Sequence, residues 1–359
     1  MTSALLLLFL VLFVVLAFEY INGFHDTANA IATVVSTKVL TPRQALALAA
    51  SMNLVGAFFG QAVAKTIHSG IVDDKIVAVT TMTVFCAMLG GIVWNLITWW
   101  FGMPSSSSHA LIGGLIGASM AAANGNWNAL IWSRAKADGS MEGIYHKVVI
   151  PMITSPTLGL IGGFLVMGFL YWLIRNWRPR TINRSFSWLQ IFSAGYMGFG
   201  HGLADAQKTM GVIMLTLFAA TKAGDLDGVP DWMSFLKVTD KSASIPLWII
   251  ITCAVVMAAG TYAGGWRIIK TLGHKMVKMK PVHGFAAETT AATILAVTGV
   301  MGMPVSTTHT ITTSIMGVGA AKRWGSMRWS LIERIIWAWV MTIPVTALLG
   351  WVFFKLFGS

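Results

Sequence analysis

The chain has 359 residues, 56% of them hydrophobic and only 11% charged. About a quarter of the residues of a soluble domain are charged, so a water-dispersed globular protein is excluded and lipid is the solvent that fits. The excess of 25 Lys and Arg over 13 Asp and Glu does not mark a nucleic-acid binder, because the basic residues sit in short loops between apolar stretches, as cytoplasmic membrane loops do.

Crossing roughly 30 Å of hydrocarbon takes about 20 residues. Ten stretches qualify: 2–37, 44–64, 77–101, 105–123, 148–173, 186–221, 244–266, 284–302, 305–321 and 331–356. An all-α polytopic membrane protein with about 10–12 membrane segments is the expected fold class. The run Leu5 to Phe18 lacks a basic n-region and a small-residue cleavage site, so it reads as a retained helix. The first and sixth stretches are too long for one span. Asn22-Gly23-Phe24-His25-Asp26 and His201-Gly202-Leu203-Ala204-Asp205 lie in their middles, which predicts broken helices. Cys86 and Cys253 lie alone in apolar stretches, which predicts inert thiols rather than a disulfide or zinc site.

Two further pairs of stretches meet with no real loop. Gly102-Met103-Pro104 precedes Ser105-Ser106-Ser107-Ser108-His109, and Gly302-Met303-Pro304 precedes Val305-Ser306-Thr307-Thr308-His309. The pattern GMPxSxxH thus recurs at an offset of 200, and the Asp26 and Asp205 motifs recur at 179. Two unlike motifs repeating in order are the mark of a duplication, with residues 1–185 and 186–359 as the two copies of a single membrane domain. Loops 38–43, 175–184, 267–280 and 322–330 carry net charges of +2, +4, +5 and +3, whereas 65–75, 129–147 and 222–241 carry 0, +1 and −1. The sets segregate if the copies are inverted, with helical hairpins at the GMP turns and both termini outside the cytoplasm.

Pro suits the first turn of a helix, and a helix that starts inside a membrane offers free N–H groups and the positive end of its dipole. Ser105, Ser106, Ser107 and Ser108, with Ser306, Thr307 and Thr308 in the other copy, are therefore candidate ligands for a tetrahedral oxyanion gripped by two opposed, uncharged helix starts. Asp26 and Asp205 are candidate coupling acids, since a carboxylate at membrane depth is costly unless it binds or relays something. Asn22 and Asn29 surround Asp26, and Gln207 and Lys208 adjoin Asp205. Glu288 is a third candidate coupling acid, and Asp26, Asn29 and Asp205 are possible sodium ligands. His25, His109, His201 and His309 fall in related places and read as packing histidines or proton shuttles. Lys65 and His68 are candidates for attracting an anion at the outer mouth.

These motifs resemble the PiT family of inorganic phosphate transporters over nearly the whole chain. Asn22-Gly23-Phe24-His25-Asp26-Thr27-Ala28-Asn29-Ala30 is similar to the first signature of bacterial low-affinity, proton-coupled phosphate permeases, and His201 through Gly211 is similar to the second. The resemblance implies an inverted-repeat membrane protein, frequently dimeric. It would carry phosphate with H+ or Na+ across the bacterial cytoplasmic membrane, with no other cofactor. Ala204 stands where the family's second signature usually has Asn, and Lys65 about where sodium-coupled members carry an acid, both favouring protons. Transport of sulfate or another oxyanion and a passive channel remain alternatives. An intramembrane hydrolase is disfavoured: Ser108 and His109 are adjacent, so they point apart on a helix, and no GxSxG elbow is present.

Overall fold

The computed structural model describes residues 3–73, 76–135, 139, 141–240 and 244–358. The first residue of the expected span 2–37 and parts of the loops 65–75, 129–147 and 222–243 lie outside the described residues. Twelve α-helices are described: α1 (Ser3–Ser36), α2 (Pro42–Gly56), α3 (Ala62–Ser69), α4 (Thr81–Trp100), α5 (Ser107–Ala122), α6 (Ile150–Leu173), α7 (Pro179–Ala223), α8 (Leu247–Ala263), α9 (Trp266–Lys270), α10 (Pro281–Val300), α11 (Thr307–Arg323) and α12 (Trp329–Phe357). Among the described residues the strands amount to one two-residue ladder, Arg134–Ala135 with Met141–Glu142.

Among the described residues, four single helices are long and apolar enough to cross a membrane: α1, α4, α6 with the turn before it, and α12. Counting α8 with the segment after it, bent by 57°, as one span makes five. The protein is a polytopic membrane protein. The remaining expected spans are shorter helices, the less apolar 20-residue α10 or, in α7, a run of 45 residues whose polar middle lowers its hydropathy.

The expected breaks at Asn22–Asp26 and His201–Asp205 do not occur, since α1 and α7 run unbroken through them. No proline lies there to remove a backbone donor, and the polar side chains find partners on other helices. The backbone turns instead at the GMP motifs. Gly102 and Gly302 hold φ of 63° and 66°, a left-handed conformation that a Cβ resists. Each closes its helix with a Schellman pattern: Met103 N–H donates to Thr98 O at 2.8 Å, and Met303 N–H to Thr298 O at 2.9 Å. Ser106 and Ser306 then cap α5 and α11, each accepting from the N–H of the histidine three residues on at 3.2 Å.

The packing repeats with the sequence. Helix α1 lies on α8 as α7 lies on α2, and α5 lies on α12 as α11 lies on α6. Glycines set these approaches. A Cβ on Gly117 would stand 1.8 Å from Ala347 O, and one on Gly317 would stand 2.1 Å from Leu160 O. Along α1, buried apolar residues from Leu5 to Phe18 belong to one core cluster and those from Ala28 to Val34 to a second. The polar signatures of α1 and α7 fall between the two cores.

Candidate functional site

Two helix starts and two helix middles meet between those cores. Ser107 and Ser108 open α5, Thr307 and Thr308 open α11, Asp26 and Asn29 lie on α1, and Asp205 and Lys208 lie on α7. All eight are buried. The two hydroxyl-bearing turns touch: Ser108 Oγ donates to Val305 O at 3.4 Å, and the His109 and His309 rings pack edge to face with centroids 4.8 Å apart.

Asp26 is the best-provided group. Ser107 Oγ donates to its Oδ2 at 2.9 Å, Thr307 Oγ1 reaches the same oxygen at 3.5 Å, and Thr308 Oγ1 donates to Oδ1 at 3.3 Å. His25 Nδ1 stands 2.9 Å from Oδ1. Asn29 Nδ2 donates to Thr307 Oγ1 at 3.2 Å and Thr308 Oγ1 at 2.9 Å, which leaves those hydroxyl protons to face the carboxylates. Thr307 is shared, because its Oγ1 also lies 3.3 Å from Asp205 Oδ2. It has one proton for two acids.

Lys208 joins the two copies of the motif. Its ammonium donates to Asp205 one turn back on α7, to Ser108 of α5 and, at 3.1 Å, to Val305 O of the α11 turn. The expectation of an uncharged, donor-lined pocket is therefore corrected. A cation and two carboxylates share the space with the hydroxyls, and the residues expected to hold an anion and those expected to hold a coupling ion form one network. Each of these three side chains has a partner, whereas a buried ion left alone costs several kcal/mol.

Several candidates lie elsewhere. Asn22 donates to Glu19 at 3.4 Å, not to Asp26. Gln207 accepts from Val63 N–H at 2.9 Å and donates to Leu203 O at 2.6 Å, so it holds the start of α3. Glu288 is separate from the cluster and accepts from Thr33, Ser193 and, at 3.2 Å, Gln190. Ser105 is at the edge, bonded to Thr98 at 2.8 Å and 3.4 Å from His25 Nε2, while Ser106 and Ser306 serve as caps. His68 is buried against Phe218, and Lys65 sits about one turn after the α3 N-cap Gln61.

Three polar residues escaped sequence reasoning. Glu19 is fully buried and accepts from Thr209 at 2.5 Å; its signal was an acid alone in an apolar run. Asn53 links His201 Nδ1 at 3.2 Å to Thr261 at 2.8 Å, and Thr98 stands 3.1 Å from His25 Nε2. Neither gave a signal of its own, because a single amide or hydroxyl in a membrane helix is common. Among the described residues, one group has the donor types to hold a metal ion: Asp26, His201 and Asp205, with ligand atoms within 4.8 Å of one another.

Residues 22–183, and again 175–350, match the phosphate transporter family. The chain is 42% identical to a probable low-affinity inorganic phosphate transporter of Rhizobium meliloti (strain 1021), over 94% of this chain and 92% of that one. It is 40% identical to a protein of the same description from Bacillus subtilis (strain 168), covering 98% and 97%. A third, from Mycobacterium tuberculosis (strain ATCC 25618 / H37Rv), is 42% identical over 98% of this chain and 77% of its own length. In fold the chain is similar to a solved structure described as the sodium-dependent phosphate transporter, with a TM-score of 0.80 over 98% of this chain and 99% of that one, at 20% identity.

Proposed function

The chain belongs to the phosphate transporter family, and on that premise we propose that it carries inorganic phosphate across a bacterial cytoplasmic membrane by proton-coupled symport. The observation that carries this reading is the shared network: Asp26, Asp205 and Lys208 bond to the hydroxyls that would receive the anion, Ser107, Thr307 and Ser108. A hydroxyl proton serves one acceptor at a time. While Asp26 is ionised, Ser107, Thr307 and Thr308 point at it. Once Asp26 takes a proton, those hydroxyls turn about their Cβ–Oγ bonds toward phosphate, and the N-termini of α5 and α11 add their dipoles. Lys208 supplies the full positive charge, and Ser108 a further donor. Proton and anion thus favour each other's binding, and by linkage the coupling is equal in both directions.

Ser105, Ser106 and Ser306 support this site by shaping the two turns. On this reading the two copies, residues 1–185 and 186–359, are inverted repeats that rock about the network to give alternating access, and the repeated pairing of α1 with α8 and α7 with α2 supports it. A homodimer within the lipid is consistent with the family resemblance.

Sodium is the second reading. Asp26, His201 and Asp205 approach closely enough to share an ion. Against it, sodium is a hard cation that takes oxygen ligands, one of these three donors is an imidazole nitrogen, and Asp205 is already paired with Lys208. The test is uptake of labelled phosphate by proteoliposomes under an inward proton gradient, an inward sodium gradient, or neither. Concentrative uptake under the proton gradient alone is expected, with sulfate a weak competitor. Uptake driven only by sodium would overturn the coupling, and downhill flux alone would make the protein a channel.

A further inference from the structure

A cleft of about 350 Å³ opens between the end of α6, the start of α7, the start of α10 and the end of α11. Arg175, Lys280 and Lys322 line it together with Tyr171, Trp177 and Asn183, and among the described residues no acidic side chain does. The three cations are exposed. By loop charge this is the cytoplasmic face, since the lining draws on segments 175–184, 267–280 and 322–330.

The hydrogen bonds leave this lining rich in donors. Lys280 N–H donates to His283 Nδ1 at 2.9 Å, so the imidazole is neutral and carries its proton on Nε2. That nitrogen lies 3.0 Å from the Tyr171 hydroxyl oxygen and donates to it, which leaves the tyrosine proton to donate onward. Asn183 offers a carboxamide. Three cations, a phenol and an amide line one space, Lys322 Nζ also donating to Lys278 O at 3.1 Å, and no described acidic side chain shares it.

Another cavity offers a comparison: about 430 Å³ in volume, it is lined by Thr80 and Met82, which stand 200 residues before Lys280 and Val282 of the cleft. Its charged lining is balanced, Lys222 against Asp225.

From this convergence we infer that the cytoplasmic cleft is a second anion site, distinct from the transport network, that takes a phosphate group. The chemistry fits the headgroup of an anionic phospholipid, because basic pockets between membrane helices on this face bind such groups, and it equally fits a small soluble phosphate. The inference does not rest on what the protein transports. Its test uses the intact protein in nanodiscs of phosphatidylcholine, with and without phosphatidylglycerol, and in the neutral discs with and without pyrophosphate. Unfolding is followed by tryptophan fluorescence in wild type and in the variant Arg175→Gln/Lys280→Gln/Lys322→Gln. A rise in the unfolding temperature on the order of 3 °C is expected for wild type, absent from the variant. A rise with phosphatidylglycerol identifies a lipid ligand, and one with pyrophosphate identifies a soluble one. The single variants Lys280→Gln and Lys322→Gln carry the comparison if the triple variant does not fold. Lys270→Gln, an exposed cation outside the cleft, should respond as wild type does. Equal shifts in wild type and cleft variants, or no shift with either ligand, would overturn the site.

Discussion

Ser107 donates its hydroxyl proton to Oδ2 of Asp26 across 2.9 Å, which ties the first turn of α5 to the middle of α1. Oδ1 of the same carboxylate also receives the Thr308 hydroxyl at 3.3 Å. The substitution Asp26→Asn keeps the shape and fixes the side chain in a neutral state, like the protonated acid. Phosphate binding, measured by tryptophan fluorescence on purified protein, should be retained. Concentrative uptake under a proton gradient should fall by more than about tenfold, since hydrogen bonds to charged groups are worth roughly 1.5–3 kcal/mol. Coupled uptake at the wild-type level would remove Asp26 from the mechanism.

Lys208 tests whether the cation is a structural counter-ion, a phosphate ligand, or both. It is 3% exposed and paired with Asp205, itself 0% exposed. Lys208→Met strands that carboxylate, and breaking a buried pair costs about 3–5 kcal/mol; a lower unfolding temperature should follow. Lys208→Met/Asp205→Asn removes both charges and should recover most of the stability, the non-additivity expected of neighbours. Phosphate uptake should stay lost in the double variant. Recovery of both would make Lys208 a counter-ion only.

The fold was legible where residue type leaves the backbone little choice. Gly102 and Gly302 had to turn the chain, and they do; the helix starts expected at Pro104 and Pro304 come three residues later, at Ser107 and Thr307, with Ser106 and Ser306 as caps. Repetition marked the interior acids and the donor turns as two paired sets, but it did not show that Asp26 partners the hydroxyl turn. Helix continuity was not legible. Polar residues in the middle of a hydrophobic run look like a break, and only the positions of Ser107, Thr307 and Thr308 on other helices reveal that the ladder of α1 survives. Side-chain direction was lost for the same reason. Gln207 and Lys208 are neighbours in sequence, yet consecutive helical positions point about 100° apart, so one holds α3 and the other enters the network.

The hydroxyls divide into two kinds that mutation should separate. Ser306 caps α11 by accepting from His309 N–H at 3.2 Å, while Thr307 reaches both Asp26 and Asp205. Ser306→Ala should cost about 1 kcal/mol of stability and leave the KM for phosphate nearly unchanged. Thr307→Val keeps the volume but removes the shared proton, and should raise the KM and slow uptake by roughly tenfold or more, taking about 1–3 kcal/mol for an unsatisfied buried partner. A reversed pattern in proteoliposome kinetics would move the anion away from the α11 start.

Glu288 is the candidate coupling acid that stands apart. Its carboxyl group accepts from Thr33 of α1 and from Ser193 and Gln190 of α7, the two helices that pack against α10 at this point. Those partners brace the two long helices against α10, a place where charge and hydrogen bonds set geometry instead of meeting the anion directly. Glu288→Gln preserves the volume and one acceptor oxygen but turns the other into a donor facing Ser193 or Thr33. Uptake should therefore slow several-fold while its dependence on the proton gradient persists, because the titrating network around Asp26 is untouched. Phosphate exchange across the membrane with no gradient measures the same step without coupling. If exchange runs at the wild-type rate while gradient-driven accumulation disappears, Glu288 carries the proton after all, and the brace would have to be assigned to Gln190 and Thr37, whose own bond at 2.8 Å links α7 to the residue after α1.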